Sequence, residues 1–136
     1  DVAVFDLPGS HSNNAEHTCI IGSFKEDELP EGYDIISLVR ILYDHRDNTI
    51  ENLLAKVHRA LVPGGRLIVS EPMLSPDRPS IWGDVYFAIY TLAMRTGKTR
   101  SPNQVSDLIK AAGFVDIKIH KSRRPFITTV IEARKS

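Results

Sequence analysis

The chain has 136 residues, 17 Lys plus Arg against 17 Asp plus Glu, and 42% hydrophobic residues. That length suits one domain, and a 25% charged fraction with eight Gly and eight Pro excludes extended disorder, collagen-like repeats and coiled coil. The longest near-continuous apolar run, Val85 to Met94, is about half of the ~20 residues a membrane-spanning helix needs, and the first residues carry no export-signal pattern, so no membrane span is expected.

One cysteine, Cys19, excludes an intrachain disulfide and points to a reducing, cytoplasmic setting. The zero formal charge hides an asymmetry: residues 1–34 hold eight acids and one base, residues 35–94 six of each, and residues 95–136 ten bases and three acids. A basic tail can serve nucleic acid, but only Phe114 and Phe126 lie among its bases as stacking aromatics. No nucleic-acid partner is therefore expected, and mutual attraction of the two ends, or plain solvation, is the simpler reading.

In chain order, Val2-Ala3-Val4-Phe5 predicts a buried strand that ends in the turn Asp6-Leu7-Pro8-Gly9. Residues 9–17 read as polar loop or a poor short helix. Thr18 to Ile21 predicts a second strand stopped by Gly22, and Asp34 to Leu42 a third, apolar enough to be buried on both faces as in a parallel sheet. Ile50, Leu53, Leu54, Val57 and Leu61 then mark one face of a helix, with Asn48 as its cap, Glu51 completing a capping box and Pro63-Gly64-Gly65 ending it. Arg66 to Ser70 is the fourth strand, closing on Glu71-Pro72.

A Pro-rich loop leads to residues 81–95, apolar at helical spacing on two faces. Ile81, Val85, Ala88, Ile89 and Leu92 form one stripe, which suits core. Trp82, Tyr86 and Tyr90 form the other, which suits a large apolar substrate pocket or a dimer contact. Ser101, Pro102 and Gln104 are the N-cap, first position and N3 of another helix, which Gly113 ends. Strands over Phe114 to His120 and Phe126 to Ala133 finish an α/β alternation.

Ligands of open α/β sheets bind at the carboxyl ends of the strands. Here those ends are Asp6, Gly22-Ser23, Tyr43-Asp44-His45 and Glu71. An acid placed like Asp6 can hold a ribose diol or simply cap its own turn. The five histidines, at 11, 17, 45, 58 and 120, show no paired ligand spacing, and no metal is expected.

Taken in order, several segments resemble the motifs of S-adenosylmethionine-dependent small-molecule O-methyltransferases, most of all the bacterial branch that acts on hydroxyneurosporene in carotenoid synthesis. They are Phe5-Asp6-Leu7-Pro8, Gly22-Ser23-Phe24, Leu38 through His45, Leu61 through Pro72, Gly83-Asp84-Val85-Tyr86-Phe87 and Ala111-Ala112-Gly113-Phe114. Each is weak alone; six in order are specific for the family but not for its substrate. The resemblance implies a Rossmann-like methyltransferase sheet with flanking helices. It also implies that residues 1–136 are the C-terminal part of a catalytic domain, because that family carries a helical dimerisation region, a first strand and a glycine-rich loop upstream. No G-x-G motif occurs here. The implied outcomes are a homodimer for the full-length protein, a chain that does not methylate by itself, and strands that rearrange, pair between chains or receive the missing piece separately.

The same resemblance implies S-adenosylmethionine as cofactor, bound by Asp6 at the ribose and by Leu7, Gly22, Ser23 and Phe24 around the adenine, with Val39 and Arg40 beneath it. Many relatives have an acid at the Ser23 position. For Val39, sheet core is an equal alternative. Tyr43, Glu71 and His45 are the implied catalytic positions, and Asp84, Phe87, Tyr90 and Met94 the implied substrate contacts for a small-molecule hydroxyl. Plant relatives have histidine as general base where this chain has Tyr43, and a tyrosine of ordinary pKa near 10 is a poor base at neutrality. Tyr43 could position the substrate hydroxyl instead, or lose its proton with help from His45, while Glu71 could orient a catalytic partner or cap a loop. Two other readings stay open: a nicotinamide-dependent oxidoreductase, whose ribose an acid like Asp6 serves equally well, and a non-catalytic methyltransferase-like binding module.

Overall fold

In the computed structural model the chain is described over residues 1–9, 17–74, 84–120, 122 and 127–136, with Met94 lacking a described side chain. The α/β alternation is present. β1 (Ala3–Asp6) and β2 (Thr18–Ile21) pair in parallel as a two-stranded sheet. β3 (Tyr33–Val39), β4 (Leu61–Glu71), β5 (Phe114–His120) and β6 (Thr129–Lys135) form a second sheet in the order β3-β4-β6-β5. β3 and β4 are parallel, and β6 runs antiparallel to both β4 and β5. The Rossmann-like sheet is thus in two pieces, and a cavity runs between β1 and β3.

α1 (Asp47–Ala60) buries Ile50, Leu53, Leu54 and Val57, the predicted stripe. Its capping box is absent. The helix starts before Asn48, with Arg46 as N-cap, so Asn48 lies inside the first turn and its Oδ1 accepts from the neighbouring Thr49, from the N–H at 2.8 Å and the hydroxyl at 3.5 Å. α1 also stops ahead of Pro63. Leu61 already belongs to β4, and Gly64, at φ 77°, lies where the β3–β4 pairing shifts between Tyr33↔Leu61 and Ile35↔Arg66.

α3 (Pro102–Ala111) has both halves of its capping box: Gln104 N donates to Ser101 Oγ at 3.3 Å and Ser101 N to Gln104 Oε1 at 2.9 Å. α1 and α3 cover one face of the larger sheet, where Leu54, Val57, Val105 and Ile109 join Leu67 and Val69 of β4 and Ile131 and Ala133 of β6 in one core. β3 departs from the expected double burial. Leu38 is buried, whereas Val39 is 57% exposed, because β3 is an edge strand bordering the cavity.

α2 (Tyr86–Met94) turns neither predicted stripe inward as a whole, and of the second stripe Tyr90 is half-buried while Tyr86 is 61% exposed. Val85, Ile89 and Leu92 of the supposed core stripe are exposed, Leu92 at 77%. Inward lie Asp84, just ahead of the helix, and Thr91, both buried, with Phe87 and Tyr90 half-buried between them. The helix is apolar all round, so periodicity could not choose a face; contact with the Tyr43 ring chose it. Ile81, Trp82 and Gly83 lie outside the described residues, as does Phe126.

The charge asymmetry resolves differently as well. Among the described residues, Glu28 of the acidic start pairs with Arg59 at 2.8 Å. Bases of the tail pair with acids of the middle and of the tail itself: Lys98 and Arg100 with Asp47, and Arg134 with Asp116. The two ends do not neutralise each other through these pairs.

Candidate active site

The carboxyl ends of β1, β2 and β3 open onto one cavity of about 620 Å³, a size typical of small-molecule sites. Every predicted cofactor position lines it: Asp6, Leu7, Gly22, Ser23, Phe24, Val39 and Arg40. Asp6 is exposed there, and its Oδ1 also accepts from the Leu7 N–H at 2.7 Å, so it caps its own turn while facing the cavity. Val39 is a wall residue and not sheet core.

Gly22 is dictated by a close approach. A Cβ on Gly22 would lie 2.6 Å from Phe5 Cζ, so any side chain there would displace the Phe5 ring. The Ser23 N–H donates to Asp27 Oδ2 at 2.8 Å, which closes the following turn. Lys56 of α1 fixes that turn by donating from Nζ to Phe24 O at 3.1 Å and Asp27 O at 2.6 Å.

Beyond β3 the chain bends sharply. Arg40 takes φ 55°, in the left-handed region that costs a non-glycine residue about 1 kcal/mol, while its N–H bonds to Ser70 O at 2.9 Å. A short 3-10 turn follows, Leu42–Asp44. The turn divides its side chains. Asp44 and His45 line the cavity, whereas Tyr43, 4% exposed, packs beneath α2 with Tyr90 at 5.9 Å and Phe87 at 6.1 Å between ring centroids. Arg40 joins this cluster. Its Cζ lies 5.6 Å from the Tyr43 ring centroid and its Nη2 is 3.5 Å from the Tyr43 hydroxyl. The hydrogen bond with Tyr43 and the nearby Asp44 charge raise the Tyr90 pKa, which keeps Tyr90 a neutral phenol.

Glu71 is 1% exposed and its Oε2 accepts from the Leu42 N–H at 2.9 Å. Burial pushes its pKa up to about 7, opposed by the Leu42 N–H bond and the Arg100 charge. Of its two predicted roles, the contact made is the cap: Glu71 braces the backbone of the turn that presents Tyr43. The His45 ring packs edge-on against Phe24, at 5.2 Å and 73°, and thus faces a different neighbour from Tyr43. Burial, with help from the Lys25 and Arg100 charges, lowers the His45 pKa, so the imidazole is neutral at pH 7.

Of the predicted substrate contacts, Phe87 and Tyr90 meet Tyr43, Asp84 is buried one turn before Phe87, and the Met94 side chain is outside the described residues. Phe5 and Asp44 also line the cavity. In the sequence Phe5 reads as strand core and Asp44 as part of a polar strand end. Asp44 Oδ1 is buried in the structure without a hydrogen-bond partner among the described residues. Among those residues no three His, Cys, Asp or Glu gather to hold a metal, and no helix is long and apolar enough to cross a membrane.

Strand ends converging on one cavity with a carboxylate at its rim are the arrangement in which open α/β proteins hold their ligands. The chain belongs to the O-methyltransferase domain family, whose model matches residues 1–115. It is 54% identical over 84% of its length to the demethylspheroidene O-methyltransferase of Rhodobacter capsulatus, and 47% identical over 82% to that of Cereibacter sphaeroides. It spans 29% and 30% of those two relatives. The crystal structure of human N-acetylserotonin methyltransferase in complex with SAM superposes with a TM-score of 0.83 at 30% identity, covering 98% of this chain and 40% of the human one.

Proposed function

We propose that the protein transfers a methyl group from S-adenosylmethionine to a hydroxyl of an apolar, carotenoid-like small molecule. The observation that carries this reading is the cavity itself, in which an exposed strand-end carboxylate and apolar walls meet. That donor set fits the cofactor. Asp6 would accept from the ribose hydroxyls, Leu7 and Phe24 would flank the adenine with Ser23 as an uncharged acceptor, and Val39 and Arg40 would lie beneath it. The carotenoid-like acceptor is supported by the two bacterial relatives, each named for demethylspheroidene.

When bound, the cofactor supplies a methyl group on a sulfonium, open to in-line attack by an oxygen. The chain's own part is alignment. We assign Tyr43 a positioning role, supported by the contacts that fix it, with Arg40 against its hydroxyl and Phe87 and Tyr90 against its ring. Good alignment alone is worth ~7–11 kcal/mol of barrier, so a strong base is unnecessary. His45, against Phe24, belongs with the ring-binding wall and not with proton transfer.

The relatives' greater length supports reading residues 1–136 as the C-terminal part of a catalytic domain. The exposed apolar stripe of α2 is compatible with a homodimer of the full-length protein, and the single cysteine with a cytoplasmic one. Calorimetry with S-adenosylhomocysteine on the full-length protein tests the reading. Binding is expected, and Asp6→Asn should weaken it about tenfold, the equivalent of one lost charged hydrogen bond. No binding at millimolar ligand would sink the proposal. Binding without methylation of demethylspheroidene would favour the non-catalytic module.

A further inference from the structure

Arg100 lies outside every motif that drew attention in the sequence, yet it is 2% exposed and uses all of its donors. Nε and Nη2 donate to Asp47 Oδ1 at 2.8 and 2.6 Å. Nη1 donates to Leu42 O at 3.0 Å and Lys98 O at 2.9 Å, and Nη2 also to His45 O at 2.9 Å. A guanidinium has five N–H bonds in a fixed fork, and here five hydrogen bonds consume them.

Two of the acceptors, Leu42 O and His45 O, bracket the turn that sends Tyr43 one way and Asp44 and His45 the other. One of the two carbonyls between them is held by the same segment, since the Lys98 N–H donates to Tyr43 O at 2.9 Å. Gly97 permits that approach. A Cβ on Gly97 would lie 2.5 Å from Tyr43 O and 2.9 Å from Thr91 Cγ2. The turn's own bonds are long, at 3.3 Å from Asp44 N to Ile41 O and 3.2 Å from His45 N to Leu42 O. Its shape therefore depends on what grips it from outside.

We propose that residues 97–100 form a strap whose Arg100 is a positioning residue for the active site, setting the backbone of Leu42–His45 so that Tyr43 and Asp44 point to their separate tasks. Arg100 touches neither cofactor nor acceptor in this reading. It acts through the carbonyls of the turn, and Asp47 fixes the guanidinium plane from the start of α1. Lysine cannot substitute, because three donors on a flexible stem cannot reach Asp47 and three carbonyls together.

The inference rests on the proposed methyl transfer, and the test separates the two. In the full-length protein, Arg100→Lys should lower the kcat for demethylspheroidene by about tenfold or more while S-adenosylhomocysteine affinity stays within about threefold, because a small displacement of aligned groups costs rate before it costs binding. Gly97→Ala, which leaves the guanidinium untouched, should show the same split. It also decides the matter should Arg100→Lys fail to fold. The amide resonances of Leu42–His45 should shift in both variants while those of Gly22–Phe24 hold still. If the wild-type protein binds S-adenosylhomocysteine but methylates nothing, those shifts alone decide, and the failure belongs to the functional reading. Unchanged kcat in both variants, unmoved turn resonances, or a parallel loss of kcat, affinity and fold would overturn the strap.

Discussion

Glu71 shows how one buried carboxyl couples the site to pH. Its pKa is raised from 4.5 to about 7, so the native state holds a proton that the unfolded chain has released. The stability this contributes is complete below about pH 4.5 and is lost as pH rises through about 7. Glu71→Gln keeps an acceptor for the Leu42 N–H and removes the titration. Relative to wild type it should be close to neutral at pH 5 and about 1–3 kcal/mol more stable at pH 8 in urea denaturation. A wild-type protein that gains stability against the variant between those pH values would contradict the assignment. His45 and His58 work in the opposite sense, since burial lowers both, and their stabilisation is lost as pH falls below the ordinary histidine value. The difference between wild type and variant cancels them. The sequence marked Glu71 as polar beside a buried strand. It could not tell bracing from catalysis, because the acceptor's partner is a backbone N–H 29 residues away.

Among the elements, the helices were legible to different depths for one physical reason. The ends of α3 are governed by local bonds, and the Ser101–Gln104 box forms as its spacing predicted. Ser101→Ala should cost about 1 kcal/mol, readable as a lowered thermal midpoint, and Asn48→Ala at α1 well under half of that. Equal losses would show that Asn48 caps after all. The start of α1 escaped local rules because Asp47 is engaged by Lys98 and Arg100, about fifty residues further along, and Arg46 takes the cap. In α2 the misassigned stripe has the same origin. A helix apolar on every side carries no instruction about which side meets the protein.

Across the whole molecule, α1 joins the two sheets to the cavity. Its apolar stripe enters the core of the larger sheet, and Lys56 on another side of it holds the carbonyls of the loop after β2. Lys56→Met should raise the S-adenosylhomocysteine dissociation constant about tenfold through the loss of two charge-assisted bonds, with faster amide exchange over residues 23–27 and little change in the core. An unchanged dissociation constant would place the loop's rigidity elsewhere. By itself the sequence determined the α/β order, the core stripe of α1, the box on α3 and the strand-end positions that line the cavity, since each follows from local spacing or from where a strand must stop. Only the tertiary structure decided the split of the sheet, the inward face of α2, the opposite outlooks of Tyr43 and His45, and the grip of Arg100 on their turn. Those depend on contacts between residues far apart in the chain, where periodicity and propensity carry no information.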